Sequence, residues 1–229
     1  MSHNLLYIFG RSVIRAYARL MLRMDIHWHA ALPSGPKLFV ANHPSATDPF
    51  LIHLVSQQPM SVMITAKAFA VPMFGGFLRR LKQIPVGEGG NGASLSEARS
   101  AIEQGHSVAI FPEGQFSPQG GGFHAPRSGA ARLALATGVS VVPVGIYLPR
   151  ERSLRITSGI SGTKSTGYWY LRGPYGITVG KSEHFLGDVE DHEYVQSVSH
   201  SIMQRIRSLA YESEQRTRRR KMTLAGSPA

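Results

Sequence analysis

The sequence predicts an α/β domain: a mixed, mostly parallel sheet with helices on both faces, preceded by an N-terminal amphipathic helix. Two observations carry this reading. Apolar runs of strand length alternate with periodic segments of helix length between residues 37 and 147. Residues 4–24 instead combine bulky apolar positions with arginines at every fourth residue. The 229 residues suffice for one domain with a substantial core, and neither an internal repeat nor a linker between two cores is visible.

In residues 4–24, Arg11, Arg15, Arg19 and Arg23 form a slowly turning stripe, while Leu6, Phe9, Val13, Leu20 and Met24 lie largely away from it. This pattern suits a helix at a lipid–water interface; a helix packed on the domain with a solvated arginine face has the same pattern. Pro33-Ser34-Gly35-Pro36 makes a turn, and Lys37–Ala41 is a short buried strand. Asn42–Asp48 is a polar turn, after which Asp48-Pro49 suits a helix start with Asp48 as N-cap. Ser61–Thr65 and residues 83–86 read as strands, and Ser94-Leu95-Ser96-Glu97 reads as a capping box opening a helix that Gly105 closes. His106–Phe111 is a strand, Ser128–Thr137 a helix closed by Gly138, and Val139–Tyr147 an apolar strand containing Pro143. Residues 149–167 read as a loop, Tyr168–Leu171 and Ile177–Val179 as an edge hairpin. A last amphipathic helix carries Val195, Val198, Ile202, Ile206 and Leu209. From Gln215 the chain is polar and basic, the composition of a disordered tail.

Composition narrows the chemistry. Twenty-five Lys and Arg face 14 Asp and Glu, a formal charge of +11, which favours an anionic partner. Without cysteine there is no disulfide, no thiolate metal site and no cysteine nucleophile. No run approaches the roughly 18 apolar residues of a spanning helix. No signal-peptide pattern precedes the first helix. Ten histidines are scattered, and no pair with metal-ligand spacing has a third donor, so no metal is expected. The basic C-terminal run lacks the interleaved aromatics of a nucleic-acid surface, and no nucleic acid is expected.

The chemistry concentrates in Asn42-His43-Pro44-Ser45-Ala46-Thr47-Asp48, directly after a strand and before a helix. Loops at the carboxyl ends of strands are where open α/β sheets place their sites. A His and an Asp five residues apart do not share a helix face, but across a tight turn they can meet. The carboxylate then fixes the imidazole tautomer and stabilises the imidazolium, leaving the second ring nitrogen to accept a proton.

Asn42–Asp48 resembles the N-H-x-x-x-x-D signature of the glycerolipid acyltransferases, the family of glycerol-3-phosphate and lysophosphatidic acid acyltransferases. Further blocks follow in order. Phe74 to Val86, ending Ile84-Pro85-Val86, resembles the family's second block. Phe111-Pro112-Glu113-Gly114 resembles its F-P-E-G block, Arg127-Ser128-Gly129 its basic-x-Gly step, and Val142-Pro143-Val144 its proline-containing strand. The resemblance covers roughly residues 35–147.

It implies an O-acyltransferase in which His43, paired with Asp48, deprotonates a lipid hydroxyl that attacks an acyl-CoA or acyl-carrier-protein thioester. No cofactor is implied. Asn42, Arg79, Arg80, Glu113, Gly114, Arg127 and Pro143 are the expected substrate-binding residues. The implied organisation is a membrane-associating helix in residues 1–30, an acyltransferase domain in 31–214 and a basic disordered tail in 215–229. The implied acceptor is a lysolipid; the basic charge and the first helix add an anionic membrane surface as expected partner, and the lack of cysteine and signal peptide a peripheral place on the cytoplasmic face. Two arginines that the family associates with the acceptor's phosphate are replaced here, by Glu88 after Ile84-Pro85-Val86-Gly87 and by Phe116 after Glu113-Gly114-Gln115. Their loss removes bidentate phosphate recognition. Arg79, Arg80, Lys82 or Arg127 would substitute; otherwise the acceptor is a lyso-aminolipid, lysophospholipid or glycolipid rather than a phosphomonoester.

Two other readings compete. Gly87-Glu88-Gly89-Gly90-Asn91-Gly92 fits G-x-G-x-x-G, the dinucleotide-binding turn of an oxidoreductase, although its preceding strand is short and contains Pro85. A basic peripheral membrane- or nucleic-acid-binding protein with a degenerate site would bind phosphate in a strongly salt-dependent way, independently of His43. Met60, Met63, Phe69, Met73, Phe74 and Phe77 suit either an acyl-chain tunnel or the core.

Overall fold

A computed structural model describes residues 3–87, 92–159 and 165–225. Its elements are α1 (His3–Met21), β1 (Leu22–Trp28), β2 (Lys37–Ala41), α2 (Asp48–Leu51) with a 3-10 turn (Ile52–Leu54), β3 (Met60–Thr65), α3 (Ala66–Phe69) and α4 (Phe74–Arg80). There follow β4 (Ile84–Val86), α5 (Gly92–Glu103), β5 (Ser107–Ile110), α6 (Gly129–Thr137), β6 (Ser140–Tyr147), β7 (Leu154–Ser158), β8 (Ser165–Trp169), β9 (Gly173–Val179) and α7 (His192–Ala225).

Seven strands form one sheet in the order β1-β9-β6-β2-β5-β3-β4. The five from β4 to β6 run parallel; β9 joins β6 antiparallel, and β1 joins β9 parallel. The expected α/β class and mixed sheet are therefore present. Side-chain alternation along β2 shows why both faces carry helices. Phe39 and Ala41 pack with Ala18 of α1 and Leu51 of α2. Leu38 and Val40 pack with Ala98 of α5, Ala131 and Ala134 of α6, and Ile202 and Ile206 of α7. A close helix–sheet approach is at Gly145 in β6, where a Cβ would lie 2.0 Å from the backbone nitrogen of Ala210. Only glycine lets α7 lie that close to the sheet.

Several sequence expectations are corrected. The first helix ends at Met21, and Arg23 and Met24 belong to β1, an edge strand of the main sheet. Residue 30 is therefore no boundary between an appended helix and a separate domain. Arg11 is turned inward, donating from Nε to the carbonyl of His53 at 3.2 Å. Residues 149–167 are not a loop throughout: β7 and β8 form a separate two-stranded antiparallel sheet. The expected edge hairpin is absent, because β9 is an interior strand between β6 and β1. Ser94 lies inside α5, which already begins at Gly92, and its hydroxyl donates to the carbonyl of Pro85. The basic tail continues α7 to Ala225 instead of being disordered from residue 215. Tertiary ion pairing holds it: Arg216 binds Asp25 of β1 at 2.8 Å and the carbonyl of Ile177 at 2.9 Å. Met60, Met63 and Phe69 are core, whereas Met73 is 93% exposed at the α3–α4 turn.

Candidate functional site

The parallel strands deliver the turn of residues 42–48 to the carboxyl end of β2. Asn42 fixes its departure from the sheet. Its Nδ2 donates to the carbonyl of Ile146 at 2.8 Å, and its Oδ1 accepts from the Ile146 N–H at 2.7 Å. This side chain imitates one more ladder pair and is fully buried, which gives Asn42 a structural part in the site.

His43 and Asp48 meet as the spacing predicted. Nδ1 of His43 lies 3.0 Å from Oδ2 of Asp48. The same Oδ2 accepts the Ser45 N–H at 2.7 Å, and Oδ1 accepts the Tyr175 hydroxyl at 2.6 Å. Asp48 is wholly buried. A buried carboxylate is tolerable because three donors satisfy it. Asp48 is not the N-cap, however. Thr47 holds that position and makes no side-chain cap bond; its hydroxyl pairs with Ser45 Oγ at 2.9 Å, and the Asp48 carboxylate points back into its own turn. Burial above all, and then the Asp48 charge, raise the Tyr175 phenol well above its ordinary range, so it remains a neutral donor.

The imidazole is also held sideways. Phe111 stacks on it with ring centroids 4.3 Å apart, and Phe116 leans on it at 4.7 Å. Among the described residues none hydrogen-bonds Nε2, and 14% of the side chain remains exposed. An acceptor nitrogen thus meets solvent with its partner nitrogen anchored.

Glu113 was expected to line a substrate pocket. Its carboxylate instead braces the loops: Oε1 accepts from the His43 N–H at 3.1 Å and the Ser117 hydroxyl at 2.5 Å, and Oε2 from the His124 N–H at 2.8 Å. Ser117 N–H returns a bond to the His43 carbonyl at 2.8 Å. Gly114 has φ +66°, and a Cβ there would lie 2.4 Å from Nε of Arg127, which packs across it. Of the expected basic residues, Arg127 is therefore the one seen to pack against the loop that braces His43. Arg79 caps the ring of Phe69 at 5.6 Å and donates to its carbonyl, and Arg80 is exposed on α4. Pro143 is buried mid-strand opposite Val40. Of the glycine-rich run, Glu88 to Asn91 lie outside the described residues; the run joins β4 to α5.

Sequence reading missed four contributors. Tyr175 is 127 residues from Asp48, and its strand carries no motif. Ser45 Oγ donates to the Tyr168 carbonyl and accepts the Tyr170 N–H, tying the turn to the end of β8. Phe116 marked a missing arginine, yet its ring contacts the histidine. Arg150 donates to the carbonyls of Pro118 and Gly122. Its guanidinium is destabilised mainly by burial, and the Glu113 and Asp48 carboxylates oppose that.

Fold and site together define a class: an α/β protein with an anchored His–Asp pair at the carboxyl end of a parallel strand. A family model described as Acyltransferase matches residues 23–147, and the chain belongs to that family. It is 26% identical over 134 residues to a 1-acyl-sn-glycerol-3-phosphate acyltransferase of Borreliella burgdorferi, covering 54% of this chain and 52% of the relative. It is 28% identical over 132 residues to a lyso-ornithine lipid O-acyltransferase of Pseudomonas aeruginosa, covering 57% and 50%. The matches thus span about half the length of these curated relatives. The crystal structure of the acyltransferase PlsC from Thermotoga maritima superposes with a TM-score of 0.58 at 20% identity, over 88% of this chain and 78% of that one, a likeness of fold.

Proposed function

We propose that the protein transfers a fatty acyl group from an acyl-CoA or acyl-carrier-protein thioester to a hydroxyl of a lysolipid, with His43 as general base. The observation that carries this is the His43–Asp48 pair, with Nδ1 anchored at 3.0 Å and Nε2 open. Nε2 takes the acceptor's hydroxyl proton as its oxygen attacks the thioester carbonyl. The C–O bond forms, the C–S bond breaks, and the imidazolium returns the proton to the departing thiolate. Asp48 balances the imidazolium charge, and Tyr175 and the Ser45 N–H hold Asp48 in place. No acyl-enzyme is needed, consistent with a chain that has no cysteine.

The acceptor is a lysolipid, and the two named relatives bracket its headgroup: one is a 1-acyl-sn-glycerol-3-phosphate acyltransferase, the other a lyso-ornithine lipid O-acyltransferase. Phe116, which stands where the family resemblance expects one phosphate-associated arginine, lies against the His43 ring at 4.7 Å and favours an acceptor without a free phosphomonoester, unless Arg127 supplies the charge. One of the two named relatives acylates a lyso-ornithine lipid, an acceptor of that kind.

The N-terminal helix brings the site to a lipid surface. Leu5, Phe9, Val13 and Leu20 recur along one outward face of α1 and are 53–83% exposed, while Tyr7 and Ala18 face the core. Phe77 of α4 lies 3.7 Å from where a Cβ of Gly10 would stand, so α4 extends this surface beside α1. No described helix is long and apolar enough to cross a membrane.

The test is release of free thiol from a long-chain acyl-CoA, or from an acyl-carrier protein, in mixed micelles with a panel of lysolipids. Turnover with one acceptor, lost in His43→Ala, supports the reading. Turnover unchanged in His43→Ala, or no turnover with either donor and any acceptor, overturns it.

A further inference from the structure

Beyond the His43 site, the fold assembles a second group of chemically capable side chains. His27 and His29 lie two residues apart on β1 and its immediate continuation, so they project to the same face of the sheet. That is the face α7 crosses: Asp25, on the same side, pairs with Arg216 of α7. Glu212, one helical turn before Arg216, places Oε2 2.8 Å from Nε2 of His29, although the two residues are 183 positions apart. The rings of His27 and His29 stand 5.6 Å apart and nearly perpendicular, at 72°. One ligand atom from each of His27, His29 and Glu212 lies within 4.8 Å of the other two. The sequence shows the His-x-His pair but no third donor near it; the fold supplies one.

We propose that His27, His29 and Glu212 bind a divalent transition-metal ion, with Zn²⁺ the ion that fits best. Two imidazoles and one carboxylate are a three-ligand zinc set that leaves a fourth position for water. The donors exclude the all-oxygen cages of Ca²⁺ and Mg²⁺, and no soft thiolate is present. Four-coordinate zinc needs its ligand atoms roughly 3.3 Å apart, from bond lengths of about 2.0 Å. Both histidines are exposed and Glu212 half-buried, so side-chain rotation alone closes the group around an ion. Coordination through Nε2 of His29 puts its ring proton on Nδ1 and replaces the hydrogen bond to Glu212 by two metal bonds.

The neighbouring cation does not block the site. Arg216 bonds Oε1 of Glu212 at 3.2 Å, not the oxygen that faces His29, and its charge is matched by Asp25 at 2.8 Å. It orients the carboxylate as an outer-shell partner does. Strands β9 and β6 separate β1 from β2, so the group lies on the order of 14 Å from the strand that carries His43. An ion there fastens the edge strand next to α1 to the C-terminal helix.

The experiment uses tag-free full-length protein stripped with chelator and titrated with ZnCl₂ by calorimetry. Co²⁺ absorption serves as a second readout. One Zn²⁺ per chain is expected, with a rise in Tm on adding zinc and a visible Co²⁺ spectrum of nitrogen and oxygen ligation. His27→Ala, His29→Ala and Glu212→Gln should each weaken binding about a hundredfold or more, beyond the loss of an outer-shell partner. His200→Ala, an exposed histidine on α7, should bind as the parent does. No saturable binding by the parent, or equal binding by the parent and the three ligand variants, overturns the proposal. The zinc-induced shift of each variant, rather than its absolute Tm, is compared, because losing the His29–Glu212 bond lowers stability by itself.

Discussion

The hydroxyl of Tyr175 donates a 2.6 Å hydrogen bond to Oδ1 of Asp48, and both side chains are fully buried. Oδ2 of the same carboxylate is left to His43 and the Ser45 N–H. The geometry of the His–Asp pair therefore depends on a residue from an interior strand that no local motif includes. Tyr175→Phe keeps the ring but orphans one carboxylate oxygen. A bond to a charged group is worth about 1.5–3 kcal/mol, so the unfolding free energy of the variant should fall by that amount, seen as a lower denaturant midpoint. Its kcat should fall by about tenfold, with KM for the thioester little changed. Unchanged unfolding and kcat would show that Asp48 needs no help from Tyr175.

His43→Ala should lower kcat by about 10²–10⁴-fold, the range for general acid–base catalysis, with the circular dichroism spectrum unchanged. Asp48→Asn should lose comparable activity and some stability, because the amide cannot accept from three donors as the carboxylate does. Steady-state rates and chemical denaturation of the two variants distinguish these outcomes.

His53 gives the fold an acid sensitivity separate from catalysis. It is buried under α1, where Tyr7 hydroxyl lies 3.2 Å from Nδ1. Burial, and secondarily the Arg11 charge, push its pKa down to about 4. Unfolded histidine titrates near 6.5, so between these values the unfolded chain binds the extra proton. Stability from this group is complete above pH 6.5, declines as pH falls toward 4 and is lost below that. The gap amounts to about 3 kcal/mol. Denaturation midpoints measured from pH 7 to pH 4 should fall more steeply in the parent than in His53→Gln.

The outward face of α1 should govern lipid binding without governing folding. Phe9→Glu with Leu20→Glu places charges on side chains 60% and 83% exposed. Flotation with vesicles containing anionic lipid should fall severalfold, while the unfolding midpoint stays within about 0.5 kcal/mol of the parent, as is usual for surface substitutions. Flotation equal to the parent's would remove α1 as the membrane-facing element.

Gly145→Ala tests the tight seat of α7. A methyl group there meets the Ala210 nitrogen at 2.0 Å, and backbone cannot yield as a side-chain tip can. The loss should reach about 3 kcal/mol, at the upper end of ordinary overpacking, measured as a fall in soluble yield and Tm.

The sequence by itself showed much of the strand–helix alternation from Lys37 to Tyr147, because strands buried on both faces, β2 and β6, read as short apolar runs while α5 and α6 read as periodic segments. It also determined the meeting of His43 and Asp48, since a five-residue turn between a strand and a helix brings its ends together wherever the rest of the chain lies. Tertiary structure decided the remainder. β1 was hidden in the continuation of an amphipathic helix, because an edge strand with one polar face keeps the arginines that mark the helix. The basic run after Gln215 became helix through pairing with Asp25, which lies 191 residues from Arg216. Asn42 and Glu113 stand in the motifs and brace the scaffold, because a buried hydrogen-bonding group is satisfied by whatever polar groups the fold sets beside it. Tyr175, Ser45 and the third donor beside His27 and His29 came from strand order and helix crossing, which bring together residues that local spacing leaves far apart.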